Sequence, residues 1–287
     1  MQRIALATYG ELPGLNADDR LLIEPLAALG VTALPAVWDA AEVRWTEFAA
    51  VVVRSCWDYH DRLDEFLSWI GRLEGLQVPV WNPPDLLRWN SHKAYLRELA
   101  TAGVATVPTR WLGRGERSSL AEVLHAERWS DAVVKPAVSA SAHGTWRTSQ
   151  ATAARDQGRL DELLMRGDAM VQPFVNEVGE SGEWSLMFLG GRFSHAVLQR
   201  PAAGDFRVQA QYGGSAAALT PPRHVLSDAK RVLAALSREP LYARVDGVER
   251  AGRLLLSELE LIEPLLFLQS DPAAPARLAR ALAHALG

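Results

Sequence analysis

The 287-residue sequence predicts an α/β fold, with a parallel sheet in its first part and mixed α+β structure beyond it. Three observations predict this. Through residue 90, short apolar runs alternate with apolar residues at helical spacing, the pattern of strand–helix–strand crossovers. From Asn90 hairpin signals take over, clearest where Gly190-Gly191 separates residues 184–189 from residues 192–199. Further on, residues 242–248 and 253–261 read as two strands joined by the turn Glu249-Arg250-Ala251-Gly252.

Residues 3–8 form the first predicted strand. Asn16 caps a helix carrying Leu21, Leu22, Leu26 and Leu29, and Gly30 ends it. Residues 31–37 are a second strand, interrupted at Pro35. Ala50-Val51-Val52-Val53 is a buried β run that empties into Arg54-Ser55-Cys56-Trp57-Asp58-Tyr59. Leu63, Phe66, Leu67, Ile70 and Leu73 mark a helix, and Val78-Pro79-Val80-Trp81 leads into the turn Asn82-Pro83-Pro84. Ligands of parallel sheets bind outside the carboxyl ends of strands, which singles out residues 54–59. A helix over residues 91–102 stops at Gly103, and a short strand at Thr106-Val107 ends at Pro108. Then follow the strand Ala132-Val133-Val134-Lys135-Pro136, a small-residue loop to Thr145, a helix over residues 159–165 and a strand over residues 169–172. A last helix begins at Ala274. No internal repeat or low-complexity segment occurs.

Composition narrows the function classes. Hydrophobic residues make up 48%, an ordinary globular content. The net charge of -4 offers no electrostatic reason for a nucleic-acid or anionic-membrane partner. The lone Cys56 leaves no internal disulfide and fits a reducing compartment. No run is apolar and long enough to span a bilayer. A soluble cytoplasmic protein is expected.

Glu258 and Glu260 are two apart on one strand and share a face, while Leu259 and Leu261 take the other. Asp246 lies on the partner strand. Three neighbouring carboxylates repel unless a cation sits among them, and hard oxygen donors suit Mg²⁺. The competing reading is a solvated acidic face. Lys93 falls in the first turn of its helix, and Lys135 leaves a buried strand either to snorkel or to meet an anion. Ser139, Ser141 and Gly144 belong to a small-residue loop that can bring backbone N–H groups to phosphate oxygens or serve as a plain connector. Neither a dinucleotide nor a P-loop glycine fingerprint is present, and Thr8-Tyr9-Gly10-Glu11 gives an oxidoreductase no support.

Gln172, Pro173, Phe174 and Val175 form an extended segment able to hold an adenine edge, with Glu177 and Glu180 within reach of a ribose. Arg200 and Arg207 are candidates for stabilising a transferring phosphoryl group, or are surface residues. Arg54 and Asp58 can read the carboxylate and ammonium of an amino acid, flanked by Ser55, Trp57 and Tyr59, or can form a surface pair. Arg244 is a second candidate carboxylate clamp. His143 and His195 read as incidental.

In chain order these pieces resemble the ATP-grasp superfamily, in its glutathione-synthetase-like and ribosomal-protein glutamate-ligase-like branch. The resemblance rests on Lys93, Lys135 in Val-Lys-Pro, the loop of residues 139–145, residues 172–175, Glu183, Arg200, Arg207 with Gly213-Gly214, Asp246, and Glu258 with Glu260. It spans about residues 85–265. Four further strings resemble the subgroup containing the D-cycloserine-forming O-ureido-D-serine cyclo-ligase: Arg-Ser-x-Trp-Asp-Tyr from Arg54, Trp-Asn-Pro from Trp81 with Asn-x-x-Lys from Asn90, Gly-Glu-Trp-Ser-Leu from Gly182, and Glu-Leu-Glu-Leu-Ile-Glu-Pro from Glu258. Two departures stand out. Glu260 occupies a position where the family usually has Asn, and the phosphate loop holds a single glycine, Gly144.

The resemblance implies an ATP-grasp fold: an N-terminal parallel α/β domain over residues 1–90, a central ATP-grasp subdomain over 91–175, and a C-terminal subdomain over 176–287 with the metal and phosphate site. It implies an ADP-forming carbon–nitrogen ligase that uses ATP and Mg²⁺ to activate a carboxylate as an acyl phosphate. Lys93 and Lys135 would hold phosphates, Asp246, Glu258 and Glu260 the Mg²⁺, and Arg200 and Arg207 the transferring group. The substrate would be a small amino-acid-like molecule closed to an amide or lactam, in a homodimer or homotetramer. An intermolecular amino-acid ligase and a non-catalytic nucleotide-binding module are the alternatives.

Overall fold

A computed structural model describes residues 2–287. β1 (Gln2–Thr8), α1 (Ala17–Arg20), α2 (Ile23–Ala28), β2 (Val31–Val37), β3 (Ala50–Ser55), α3 (Leu63–Gly75) and β4 (Val80–Trp81) build a parallel sheet of order β2-β1-β3-β4. β3 is buried along its whole length, as its apolar run requires. Asn16 caps α1 by accepting from the Asp19 N–H, but the single helix expected here breaks before Ile23. Pro25 explains the break: it has no N–H to donate and is tolerated only in the first turn of a new helix. Pro35, by contrast, does not interrupt β2. That strand is an edge, where a missing donor costs no ladder bond.

α4 (Pro84–Asn90) starts on a proline, as first helical turns favour. α5 (Tyr95–Thr101) begins later than expected, so Lys93 precedes the helix, and its backbone N–H donates to Ala137 O at 2.8 Å. The strand expected at residues 106–107 is only an isolated bridge from Thr106 to Leu256. β5 (Arg110–Leu112), α6 (Leu120–Ala126), β6 (Asp131–Pro136), β7 (Trp146–Ser149), α7 (Ala153–Arg166) and β8 (Ala169–Pro173) form an antiparallel sheet of order β5-β8-β6-β7. β5, α6 and β7 are short and carry no strong periodicity, so the sequence pattern does not reveal them.

α8 (Glu177–Glu180), β9 (Glu183–Leu189), β10 (Arg192–Arg200), β11 (Ser215–Ala218), α9 (Arg223–Ala234), β12 (Tyr242–Arg250) and β13 (Arg253–Glu260) follow, the strands joining in the order β11-β10-β9-β12-β13. α10 (Ala274–Ala285) is the last element. One face of this five-stranded sheet packs on α9 and α5 through Leu186, Val245 and Leu259 with Val225, Ala229 and Leu96. At one end the opposite face joins a core with Ile4, Leu6, Leu278 and Leu282, through Met187, Val197 and Tyr242. α10 therefore shares a core with β1, from the other end of the chain, and packs on α2.

Three side chains tie the β12–β13 hairpin to the parallel sheet. Tyr242 donates its hydroxyl to Val53 O at 2.6 Å, with Ile262 O 3.0 Å from the same oxygen. Asn82 donates to Tyr242 O and Leu261 O, and Asn90 to Leu259 O while accepting from Leu261 N–H. Each satisfies buried backbone groups that would otherwise be costly.

Candidate active site

Ala251 and Gly252, with φ of 51° and 74°, close the β12–β13 hairpin as a two-residue turn, tighter than the four-residue turn expected. In the resulting register Asp246 pairs with Glu258 and Arg244 with Glu260. All four side chains thus share the face that carries Tyr242 further along. A bulge between Asp246 and Gly247 follows, and a Cβ at Gly247 would lie 2.7 Å from Leu255 O, so only glycine fits.

The carboxylates are held in a dense network. Lys93 Nζ lies 2.9 Å from Glu258 Oε1 and donates to Ser139 O at 2.7 Å. Arg244 bridges Asp246, at 2.9 Å, and Glu260, and also donates to Leu265 O at 3.1 Å. Asp246 accepts from the Ser185 hydroxyl, which itself accepts from Gln199. Glu183 accepts from the Ser257 hydroxyl.

Burial dominates the electrostatics. It pushes Glu183 up to about 7, with Asp246 and Glu258 adding repulsion. It lifts Glu263 to about 8 and Glu260 well above the carboxylate range. Asp246 is also raised, because desolvation outweighs Arg244. Desolvation opposes ionisation of Glu258 too, but Lys93 and Lys135 overcome it and hold the group below its ordinary value. Lys135 is lowered, chiefly by desolvation, with Lys93 adding repulsion.

These groups line a cavity of about 430 Å³ between the second and third sheets. Lys93, Lys135, Ser139 and Ser141 border it with Arg244, Asp246, Glu258 and Glu260. So do Gln172, Pro173, Phe174 and Val175 at the end of β8, and Trp57 and Tyr59 after β3. Arg207 also borders it, stacked 3.6 Å from the Tyr212 ring and paired with Asp205 at 2.7 Å. Gln211 donates to Ser141 O at 3.2 Å, so the loop after β10 meets the small-residue loop over the cavity.

Seven expected site residues lie elsewhere. Arg54 is fully buried, pairs with Asp19 at 2.8 Å, donates to Pro264 O at 2.7 Å and packs over the Tyr242 ring. It does not border the cavity and holds the chain just after Glu263. Ser55 donates to the same Asp19, and Asp58 accepts from Trp38 Nε1, so neither faces the cavity. Arg200 is exposed because strand alternation turns its neighbour Gln199 inward instead. Glu177 pairs with Arg250 and Glu180 is solvated on α8, while Val178 takes the cavity side. Gly144, at φ 68°, shapes the loop against Pro136 without bordering the cavity. His195 is structural, with Nε2 2.9 Å from Leu266 O.

Sequence reasoning missed Glu263, Ser257, Gln199, Phe206 and Phe267 among the lining residues. Glu263 was visible in the string around Glu258. Phe206, 6.1 Å from Phe174 in an edge contact, sits beside the flagged Arg207.

Comparison with known proteins finds relatives that span the chain. The family description "D-cycloserine synthetase DcsG, N-terminal domain" matches residues 4–82. The cycloserine biosynthesis protein DcsG of Streptomyces lavendulae is 30% identical, over 99% of this chain and 98% of its own length. A crystal structure of D-cycloserine synthetase DcsG superposes with a TM-score of 0.90 at 29% identity, covering 99% of this chain and 100% of that one. More distantly, the D-alanine–D-alanine ligase of Bacillus anthracis complexed with ATP shares the fold, with a TM-score of 0.71 at 15% identity over 100% of this chain and 97% of that one.

Proposed function

From the premise that this chain belongs to the ATP-grasp ligase family of the cycloserine biosynthesis protein DcsG, we propose that it closes a small amino-acid-like molecule onto itself with ATP and Mg²⁺. The observation that carries the reading is the shared face of Asp246, Glu258 and Glu260, with Lys93 and Lys135 bordering the same cavity. An all-oxygen donor set on one face fits Mg²⁺. Bound there, the ion would neutralise charge on the phosphates during transfer.

In this reading Lys93 and Lys135 hold ATP phosphates, and residues 172–175 hold the adenine between backbone and Phe174. Arg207 offers its guanidinium to the transferring group, which passes to a substrate carboxylate to give an acyl phosphate. The substrate's own nitrogen then attacks and phosphate leaves. The two loops meeting at Gln211 and Ser141 exclude water that would hydrolyse the acyl phosphate. With Arg54 withdrawn into the core, Arg244 is the guanidinium left to meet the substrate carboxylate. Trp57 and Tyr59 supply walls for a compact ligand. The three sheets support a division into units over residues 1–90, 91–175 and 176–287.

Incubation with ATP, Mg²⁺ and O-ureido-D-serine, followed by mass spectrometry, tests the proposal. Cycloserine, ADP and phosphate are the expected products. ADP release that requires two separate amino acids would replace cyclisation with intermolecular ligation.

A further inference from the structure

We propose that His60, Asp61 and His143 form a site for a borderline divalent cation such as Zn²⁺, which pins the loop of residues 137–145 onto the N-terminal sheet unit. The site is separate from the carboxylate face, and none of its three residues borders the cavity. His60 and Asp61 lie between β3 and α3, and His143 lies between β6 and β7. Only the tertiary fold brings them together.

The three side chains form a loose ligand shell, wider than one closed around a bound ion. One ligand atom from each residue lies within 4.8 Å of the others. The imidazoles meet edge to face, with centroids 5.4 Å apart and planes at 79°, so their nitrogens are not stacked out of reach. The His60 side chain is only 10% exposed, and Asp61 Oδ1 is 3.3 Å from its Nδ1. That Nδ1 nonetheless has no hydrogen-bond partner, because the pair is misaligned. A buried polar nitrogen without a partner calls for a physical explanation, and beside a carboxylate and a second imidazole a bound ion supplies one. A tetrahedral zinc shell, with metal–nitrogen bonds of about 2.0–2.1 Å, brings ligand atoms to roughly 3.4 Å of one another. The exposed side chains of Asp61 and His143 can close that difference by rotation.

Donor chemistry selects the ion. Two imidazoles and a carboxylate suit Zn²⁺ or Co²⁺ and leave one position for water, whereas Mg²⁺ keeps to oxygen. The loop that His143 anchors carries Ser139 and Ser141 at the cavity edge, and Ser139 O accepts from Lys93. Cation binding therefore restrains a cavity wall, and slows turnover if that wall must move for nucleotide exchange.

The test uses Co²⁺ with the full chain. Saturable visible absorption at one Co²⁺ per chain, displaced by Zn²⁺, is expected, and His143→Ala or His60→Ala should weaken binding more than about tenfold. His143 is exposed, so His143→Ala keeps the test valid even if His60→Ala folds poorly. Hydrogen–deuterium exchange in residues 137–145 should slow on Zn²⁺ addition in the parent chain and not in His143→Ala. Absence of saturable absorption, or binding undiminished in His143→Ala, overturns the site. Binding without slowed exchange overturns the pinning. Both readouts are independent of the ligase reaction, so failure of the proposed activity leaves them interpretable.

Discussion

Lys93 Nζ sits 2.9 Å from Glu258 Oε1, joining the segment before α5 to the strand that carries Glu258 and Glu260. The contact helps hold the Glu258 carboxyl below its ordinary value, against the desolvation that would raise it. It also makes the two residues one energetic unit, since the Lys93 side chain is 7% exposed.

Lys93→Met should therefore destabilise the fold by about 1–3 kcal/mol, because it takes the nearest cation from a half-buried carboxylate. Glu258→Gln added to it should restore part of that loss. A double-mutant cycle by urea unfolding checks the coupling. Strictly additive losses would show that the pair is not a unit.

Glu258→Gln alone removes the carboxylate charge of the proposed Mg²⁺ ligand with little change in shape. ADP release in the presence of Mg²⁺ should fall by about 10² or more while the fold persists. Near-parent turnover would remove Glu258 from the metal face.

Glu183 predicts how stability follows pH. Its folded value of about 7 lies above the ordinary 4.5, so the folded chain binds the proton more tightly than the unfolded chain. That contribution is complete below pH 4.5 and is lost as pH rises through about 7. Thermal scans across this window should show a downward trend, shared with Glu263 and Glu260, that Glu183→Gln makes shallower. Mg²⁺ should flatten it too, by neutralising the neighbouring carboxylates. A trend unchanged in Glu183→Gln would assign it to other groups.

Arg54→Ala should behave as a core lesion. Removing a fully buried guanidinium strands Asp19 and should cost about 3–5 kcal/mol. Arg54→Lys should recover little, because Arg54 spans Asp19 and Pro264 O together. A stable Arg54→Ala chain with a raised substrate requirement would return Arg54 to the substrate site.

Arg244→Lys should raise the KM for the amino-acid-like substrate at least tenfold and leave ATP affinity near the parent value. Substrate-titration kinetics beside nucleotide binding check this. Equal losses for both ligands would make Arg244 a support for the carboxylate face.

Whatever depends on local period and chain order is legible in the sequence. Alternation along one strand is a property of consecutive residues, so it alone places Glu258 and Glu260 on one face, with Asp246 on the neighbouring strand. The order of Lys93, Lys135, residues 172–175 and the acidic strands likewise carries the family, and with it the fold. Only the tertiary structure decides the surroundings of each charged group. Arg54 ends a strand as a substrate clamp would, yet Asp19 and the Pro264 carbonyl, both far away in sequence, draw it into the core. Gln199 and Arg200 exchange roles through a one-residue difference in facing that needs the register of β10 against β9 and β11. Glu183 and Glu263 gain their raised pKa values from burial among groups of distant strands, and desolvation leaves no mark on local sequence. Periodicity is written in neighbouring residues, whereas burial and electrostatic surroundings are set by long-range packing.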